Sequence, residues 1–223
     1  MRFVVLLVIF ALAGCAGGPV TPFASRAASP DFDRTLAAVR PVAEAMCRQT
    51  PRARTCGFQI VIDDRPGQPP NAFQSLNAHG QPVLTFTSGL IAATHNDDEL
   101  ALIIAHEAAH HIAGHLARQM QTVDGGPVSQ ALLTRAIAAA EGNRIDAARF
   151  GLAPAGADVD QKSFELEADR IGAQIALLAG FDPSRAAALF DRLPDPVQHP
   201  ASRYPSNVER ARAVLSVAGP ARM

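Results

Sequence analysis

A pair of histidines lies inside an otherwise apolar stretch, and this combination restricts the fold more than any other feature of the sequence. Residues 100–116 carry Leu, Ile and Ala at helical spacing, which predicts a buried helix. His106 and His110 are four residues apart, so they project from one face of that helix, one turn apart. Because buried polar side chains without partners are costly, the chain is expected to supply partners for them.

The start of this helix is well marked. Asn96 and Glu99 form the pattern of a capping box. Asp97 and Asp98 lie where the positive end of the helix dipole favours acidic side chains. The apolar pattern then continues, so the sequence predicts a helix that ends at about Met120.

Glu107 completes an H-E-x-x-H pattern. Two imidazoles on one helix face can share a Zn²⁺ ion at about 2.0–2.1 Å. A glutamate beside the first histidine can reach a metal-bound water without binding the metal, and in this pattern it acts as general base. The alternative is a set of surface histidines on an amphipathic helix, but Ile103 and Ile104 indicate a buried helix.

A catalytic zinc site uses three protein ligands and one open position. A second predicted helix, over residues 161–179, provides carboxylates that can serve as the third ligand. Glu165 and Asp169 are four residues apart and share a face, whereas Glu167 points elsewhere and is predicted to be solvated. One carboxylate of the pair can bind the metal while the other orients a ligating histidine. Gly172 is expected to let this helix approach the first one closely.

Two segments, "HEAAHHIAGH" at 106–115 and "FELEADRIG" at 164–172, resemble the HtpX-like zinc metallopeptidases. This gluzincin family includes the CAAX prenyl proteases and periplasmic lipoprotein members such as BepA, whose peptidase domain the chain resembles. "PNAFQSLNAHGQPVLTFTSGLI" at 70–91 and "GFDPSRAAALFDRL" at 180–193 extend the resemblance to about residues 55–215.

The resemblance implies a zincin-like single domain of the α+β class, mostly α, with a small β-sheet beside the H-E-x-x-H helix. It implies His106, His110 and Glu165 as ligands of one Zn²⁺ per chain. It further implies Glu107 as the base and Asp169 as the residue that holds His106.

The other elements follow from apolar periodicity and turn residues. The sequence predicts helices over 31–49, 128–149, 182–193 and about 206–217, and strands over 57–63 and 81–89. The strand at 81–89 is either an edge at which an extended substrate pairs or an ordinary strand of the sheet.

The chain departs from the family near its C-terminus. Many members carry a His-Pro-Ser-x-x-Glu-Arg-like element, and the best match here, "YPSNVER", places Tyr204 at the His position and Arg210 at the Arg position. The Tyr204 hydroxyl can donate to a developing oxyanion, and the resemblance implies that Arg210 assists the transition state. Alternatively His199 is a fourth ligand or switch, or the segment is purely structural.

The N-terminus predicts an export signal with a lipid anchor. The apolar run 3–13 is shorter than the about 20 residues that span a bilayer, but it suits a secretory signal. "LAGC", ending at Cys15, resembles a bacterial lipobox, whereas an ordinary signal peptide with a chance cysteine is the alternative. The predicted organisation is a signal peptide over 1–14, a lipidated flexible tether over 15–30 and the zinc metallopeptidase domain over 31–223.

Two further cysteines, Cys47 and Cys56, allow a single pairing. An exported chain meets an oxidising compartment, which favours a disulfide between them. Two inert buried thiols or a metal pair are the alternatives.

Together these observations predict a zinc-dependent endopeptidase for protein or peptide substrates, acting on misfolded envelope proteins. Because Ala16 rather than Asp follows Cys15, the expected location is the outer membrane, facing the periplasm. No nucleic-acid partner is expected, since the net charge is −1 and the basic residues are scattered. The alternative function is a membrane-tethered, zinc-binding chaperone or scaffold with little proteolysis, although scaffolding would not need the base Glu107.

Overall fold

The structure, a computed structural model, describes residues 30–51, 55–122, 161–195 and 204–218. The helices are α1 (Phe32–Gln49), α2 (Ser88–Ala93), α3 (Asp97–Ile112), α4 (His115–Thr122), α5 (Gln161–Leu178), α6 (Pro183–Ala186), which continues as a 3₁₀ turn (Ala187–Asp191), and α7 (Asn207–Ala218). The strands are β1 (Gln59–Asp63), β2 (Ala72–Leu76) and β3 (Pro82–Thr87). The predicted α+β class, mostly helical with a small sheet, is confirmed. The helix predicted over 128–149, the signal peptide and the tether through residue 29 lie outside the described residues.

The sheet has the order β1-β3-β2, and β3 is its central strand. β3 pairs in parallel with β1 and antiparallel with β2, and all six of its residues are buried. Of the two alternatives for 81–89, the edge is therefore excluded and the ordinary strand of the sheet is the one found, because both sides of that strand are already hydrogen-bonded. β2, which the sequence pattern did not separate as a strand, is an edge of the sheet as described.

Helix α3 is the centre of the fold and packs against α1, α5 and the sheet. Its N-cap forms as predicted, because Asn96 Oδ1 accepts a hydrogen bond from the N–H of Glu99 at 3.0 Å. The carboxylate of Glu99 is only 1% exposed, accepts the N–H of His95 and pairs with Arg192 at 2.6 Å. This ion pair, in which only the carboxylate is buried, ties the start of α3 to the turn that follows α6.

The helix predicted to reach Met120 is interrupted at Gly114. Gly114 has a φ of +68°, a left-handed conformation that glycine adopts without steric cost, and α4 begins at the next residue. On an unbroken helix His115 would lie roughly opposite His106. The interruption redirects His115 into the interior, where it is 1% exposed.

The C-terminal end of α1 is covalently joined to the segment before β1, since Cys47 and Cys56 form a disulfide. Cys47 is fully buried against the core. In the part of the chain that the structure describes, no helix combines the length and apolarity needed to cross a membrane.

Gly172 of α5 lies against the backbone of α3, which confirms the predicted close approach. A Cβ at this position would lie 3.0 Å from the backbone nitrogen of His106 and 3.1 Å from its Cα. Both neighbours are main-chain atoms and cannot rotate away. Glycine at this position therefore sets the distance between the two helices.

We expect Gly172→Ala to lower the free energy of unfolding by about 1–3 kcal/mol, because the new methyl group forces α5 away from α3. Equilibrium denaturation in urea measures this change. Gly89→Ala in α2 is the matched control, since its Cβ would meet only ordinary contacts of 3.4 Å or more. A Gly172→Ala protein as stable as the wild type would contradict the packing argument.

Candidate metal centre

Three potential ligand atoms converge where α3 faces α5. The Nε2 atoms of His106 and His110 lie 3.0 Å apart, and the carboxylate oxygens of Glu165 lie 3.4 Å from the first and 3.7 Å from the second. Atoms that each lie about 2.0–2.1 Å from a tetrahedral ion are roughly 3.3–3.4 Å from one another. The donor set therefore fits one Zn²⁺ ion without rearrangement of the helices.

The second ring nitrogen of His106 is held by a carboxylate. His106 Nδ1 lies 2.9 Å from Oδ1 of Asp169, whose side chain is 1% exposed. Arg210 of α7 donates to both oxygens of Asp169, from Nε at 2.9 Å and from Nη2 at 2.7 Å. Burial would raise the pKa of Asp169, but these hydrogen bonds from Arg210 outweigh it and hold the pKa below its ordinary value.

The second ring nitrogen of His110 meets another histidine. His110 Nδ1 lies 2.8 Å from Nδ1 of His115, and His115 Nε2 lies 3.1 Å from Oε2 of Glu167. Arg118 of α4 donates to the same Glu167 oxygen at 2.7 Å. The prediction that Glu167 is a solvated helix residue is wrong, because its half-buried carboxylate joins α5 to α4.

Sequence reasoning did not select His115 for the site, because it assumed that the helix continues past Gly114. Gly114 itself was the available signal, since a glycine followed by a change of helical phase is typical of a helix end. His111, in contrast, contacts the chain elsewhere: its Nε2 lies 2.6 Å from the carbonyl oxygen of Thr55.

The electrostatics of the three converging groups favour a cation. Burial lowers the pKa of His106, but its contacts with Asp169 and Glu165 outweigh that effect and raise the pKa to about 10. Burial, and then the charge of His106, lower the pKa of His110 to about 3. Burial would raise the pKa of Glu165, but its hydrogen bond with His106 outweighs this and lowers the pKa to about 2. Two buried carboxylates thus stabilise positive charge at the point where the donor atoms meet.

Glu107 lies on α3 beside the first of these histidines and is also buried. Burial is the main cause that raises the pKa of its carboxyl group to about 7. A group with a pKa near the working pH can both take up and release a proton, which is the property of an effective general acid–base residue.

The site opens into a cleft of about 450 Å³. Its lining includes His106, Glu107 and His110, together with residues 70–75, which contain most of β2. Phe190 and Tyr204 also line it. Burial, and then the negative charge of Glu165, raise the pKa of Tyr204, so its hydroxyl keeps its proton at neutral pH.

Three side chains of the C-terminal motif, those of Ser206, Glu209 and Arg210, organise α7 and its contact with Asp169. Ser206 precedes α7 and forms a reciprocal capping box with Glu209: the Ser206 N–H donates to Oε2 of Glu209 at 2.9 Å, and the Glu209 N–H donates to Oγ of Ser206 at 3.2 Å. The cap fixes the first turn of α7, from which Arg210 reaches Asp169. Arg210 also lines the cleft, and its Nη2, which donates to Asp169, lies 3.4 Å from Nδ1 of His106 and 3.8 Å from a carboxylate oxygen of Glu165. His199 and Cys15 lie outside the described residues.

Comparisons with known proteins agree with this geometry. The family described as Peptidase family M48 matches residues 34–218. The chain is 36% identical over 121 residues to the beta-barrel assembly-enhancing protease of Yersinia pestis, covering 48% of this chain and 24% of that protein. It is 30% identical over 125 residues to the Escherichia coli protein of the same name, covering 53% and 25%.

A mitochondrial relative matches as well. The chain is 29% identical over 136 residues to the mitochondrial metalloendopeptidase OMA1 of Saccharomyces cerevisiae, covering 61% of this chain and 37% of that protein. The matches span only about a quarter of the beta-barrel assembly-enhancing proteases. The family match covers nearly all the helices and strands described above, including both ligand-bearing helices and the helix that carries Arg210. The chain therefore belongs to peptidase family M48, a family of metallopeptidases.

Proposed function

We propose that this protein is a zinc-dependent endopeptidase that hydrolyses peptide bonds in the cleft beside α3. The observation that carries the proposal is the convergence of His106, His110 and Glu165 within 4.8 Å of one another, next to a buried Glu107 and open to the cleft. Two neutral nitrogens and one carboxylate are the ligand set of many catalytic zinc sites.

These three side chains would hold one Zn²⁺ per chain. When bound, zinc supplies Lewis-acid polarisation of the substrate carbonyl and acidifies water to a pKa near 7. Asp169, held by Arg210, keeps the proton of His106 on Nδ1, so the Nε2 lone pair faces the other donors. The three proposed ligand side chains are fixed in place, because none of them can reorient without breaking a hydrogen bond.

Glu107 is the proposed general base. It accepts a proton from the attacking water and passes it to the nitrogen of the leaving amine, so the proton that water loses is the one that the amine gains. A pKa raised to about 7 suits both transfers near neutral pH. An ordinary carboxyl group, with a pKa near 4.5, would be a weaker base and would hold the proton too briefly to protonate the amine.

Tyr204 is the proposed donor to the developing oxyanion. Tyr204 lines the same cleft and its hydroxyl keeps its proton, as this role requires. Arg210 is better suited to holding Asp169 than to contacting substrate, because two of its N–H groups already donate to that carboxylate. His199 remains the alternative as a fourth ligand or switch.

The proposed substrate position is along β2 rather than β3. β2 borders the cleft as a strand paired on one side, so an extended peptide can add to its outer edge. A strand-like backbone pairing accepts many sequences, which suits an enzyme whose substrates are unfolded segments. Misfolded envelope proteins are the proposed natural substrates.

The proposed location is the periplasmic face of the outer membrane. It rests on the lipobox-like sequence at 12–15, the signal-like run before it and the absence of Asp at position 16. In this organisation residues 1–14 are removed, 15–30 form the lipidated tether and 31–223 form the peptidase domain. Several acyl chains anchor a protein stably, since each buried CH₂ adds about 0.8 kcal/mol.

We expect Glu107→Gln to keep zinc and lose peptidase activity by about 10²–10⁴-fold, because it removes the base but none of the ligands. Zinc content by elemental analysis and cleavage of casein measure the two effects. Glu44→Gln on α1 is the control, since Glu44 pairs with Arg40 and Arg48 of its own helix. A zinc-free wild type, or an active Glu107→Gln protein, would contradict the proposal. A Glu107→Gln protein that lacks protease activity but still supports envelope function would instead favour the scaffold.

The substrate position can be tested by photo-crosslinking in the inactive Glu107→Gln background. We expect a benzophenone amino acid at Gln74 of β2 to crosslink to a bound peptide, because Gln74 lines the cleft. The same group at Ile62 of β1, on the other edge of the sheet and 42% exposed, is the control and is expected to give no crosslink. Equal crosslinking at both positions would exclude pairing with β2.

The lipid anchor predicts that Cys15→Ser abolishes metabolic labelling with a fatty-acid analogue in a Gram-negative host. Ala16→Asp is the informative companion, because it leaves Cys15 intact. We expect the Ala16→Asp protein to keep its label but move from the outer to the inner membrane fraction. Labelling that persists in the Cys15→Ser protein would show that Cys15 is not the acceptor.

A further inference from the structure

We propose that His115 and Glu167 are positioning residues for His110: together they keep the proton of His110 on Nδ1 and direct its Nε2 lone pair to the metal. This inference rests on the proposed zinc site. It assigns a role to two residues that are not among the three proposed metal ligands. His115 would thus do for His110 what Asp169 does for His106.

The contacts form a continuous chain from α5 to the ligand. Oε2 of Glu167 lies 3.1 Å from Nε2 of His115, and Nδ1 of His115 lies 2.8 Å from Nδ1 of His110. The His115 ring is stacked on Phe164, with centroids 4.5 Å apart and planes 10° apart. Because the ring is buried and stacked, it cannot turn away from either partner.

The direction of each hydrogen bond follows from the donor inventory. The Glu167 carboxylate, which Arg118 also contacts, can only accept, so Nε2 of His115 must donate to it. A neutral His115 then has a lone pair on Nδ1, so Nδ1 of His110 must donate to it. Nε2 of His110 consequently carries a lone pair, and this atom is the one that lies 3.0 Å from Nε2 of His106.

The opposite arrangement is incompatible with a metal. If Nδ1 of His115 donated instead, a neutral His110 would carry its proton on Nε2, directed at His106 and Glu165. A proton on that nitrogen occupies the position of the ligand lone pair. The tautomer of His110 therefore determines whether the site can hold an ion, and Glu167 selects the tautomer through His115.

The geometry also explains why an additional imidazole is needed. Asp169 shares a helix face with Glu165 and reaches His106 directly, at 2.9 Å. Glu167 lies between these two residues in sequence and projects from another side of α5. Its carboxylate therefore cannot reach His110 itself, and the ring of His115 spans the gap. The helix break at Gly114 is what brings that ring into position.

The test compares two replacements of His115 in the full-length chain. His115→Phe keeps the ring volume and the stacking on Phe164 but removes the acceptor. His115→Asn keeps an acceptor, because Oδ1 of asparagine is as many bonds from the backbone as Nδ1 of histidine. We expect zinc affinity, measured by competition with a chelator, to fall about 10–100-fold for His115→Phe and to recover at least partly for His115→Asn.

His111→Phe is the matched control, since it makes the same replacement at a half-buried histidine that contacts the Thr55 carbonyl instead. Its zinc affinity is expected to match that of the wild type. A double-mutant cycle separates a relay from two independent effects. If Glu167 acts through His115, adding Glu167→Ala to His115→Phe weakens zinc binding no further, whereas Glu167→Ala alone weakens it.

Nitrogen NMR of the imidazoles gives a readout independent of stability and activity. In the zinc-loaded wild type we expect the proton of His110 on Nδ1 and that of His115 on Nε2. Unchanged zinc affinity in both His115→Phe and Glu167→Ala, or the reversed tautomer at His115, would overturn the inference while leaving the zinc site intact. A wild type that binds no zinc would instead overturn the proposed function together with this inference.

Discussion

The approach of α5 to the backbone of α3 is the constraint on which the site depends. With Gly172 against His106, the two helix axes are close enough for short acidic side chains to cross between them. Glu165 and Asp169 then meet the two nitrogens of one imidazole from the same helix face. A larger residue at position 172 would separate the helices before it altered any ligand, so the metal site and the helix packing are the same structural feature.

Burial of ionisable groups at this contact would be unfavourable without organised compensation. Each histidine of the candidate metal centre is connected to a carboxylate of α5, His106 directly to Asp169 and His110 through His115 to Glu167. Each of these carboxylates is paired with an arginine from a different helix, Asp169 with Arg210 of α7 and Glu167 with Arg118 of α4. The Asp169 carboxylate is buried, so removal of Arg210 would leave an unpaired buried charge, which costs about 3–5 kcal/mol in measured cases. The Glu167–Arg118 pair is partly exposed and contributes less. The peptidase site therefore contributes to holding α4, α5 and α7 together.

Features that depend on local sequence could be predicted, and features that depend on distant pairing could not. The shared face of His106 and His110, and the register of Glu165 and Asp169, follow from the 3.6-residue period of a helix. The order of the strands does not, because the alternation in "PVLTFT" is compatible with a central or an edge position. The structure shows that β3 is the buried central strand and that β2 is an edge of the sheet as described. The residues of β2 are all half-buried and lack a distinctive pattern.

The errors at Glu167 and His115 have a common cause. A helical projection assumes an unbroken helix. The positive φ of Gly114 ends α3, so the side chains of α4 point in directions that a projection of α3 does not give. His115, which was projected away from the ligands, then lies against His110, and Glu167 gains a buried partner on α4 instead of water.

The structure also explains the C-terminal motif, in which a tyrosine stands at the position of the family's histidine. The serine and the glutamate of "YPSNVER" form a helix cap and the arginine clamps Asp169, so most of the motif positions α7. Tyr204 and Arg210 both line the cleft, but the positioning of α7 rests on the cap and on Arg210, so Tyr204 can differ from the family without disturbing it. A phenol in this position can donate a hydrogen bond but is a poor ligand for zinc while it keeps its proton. Substitution of histidine by tyrosine therefore removes a competing ligand from the cleft wall and retains a donor there.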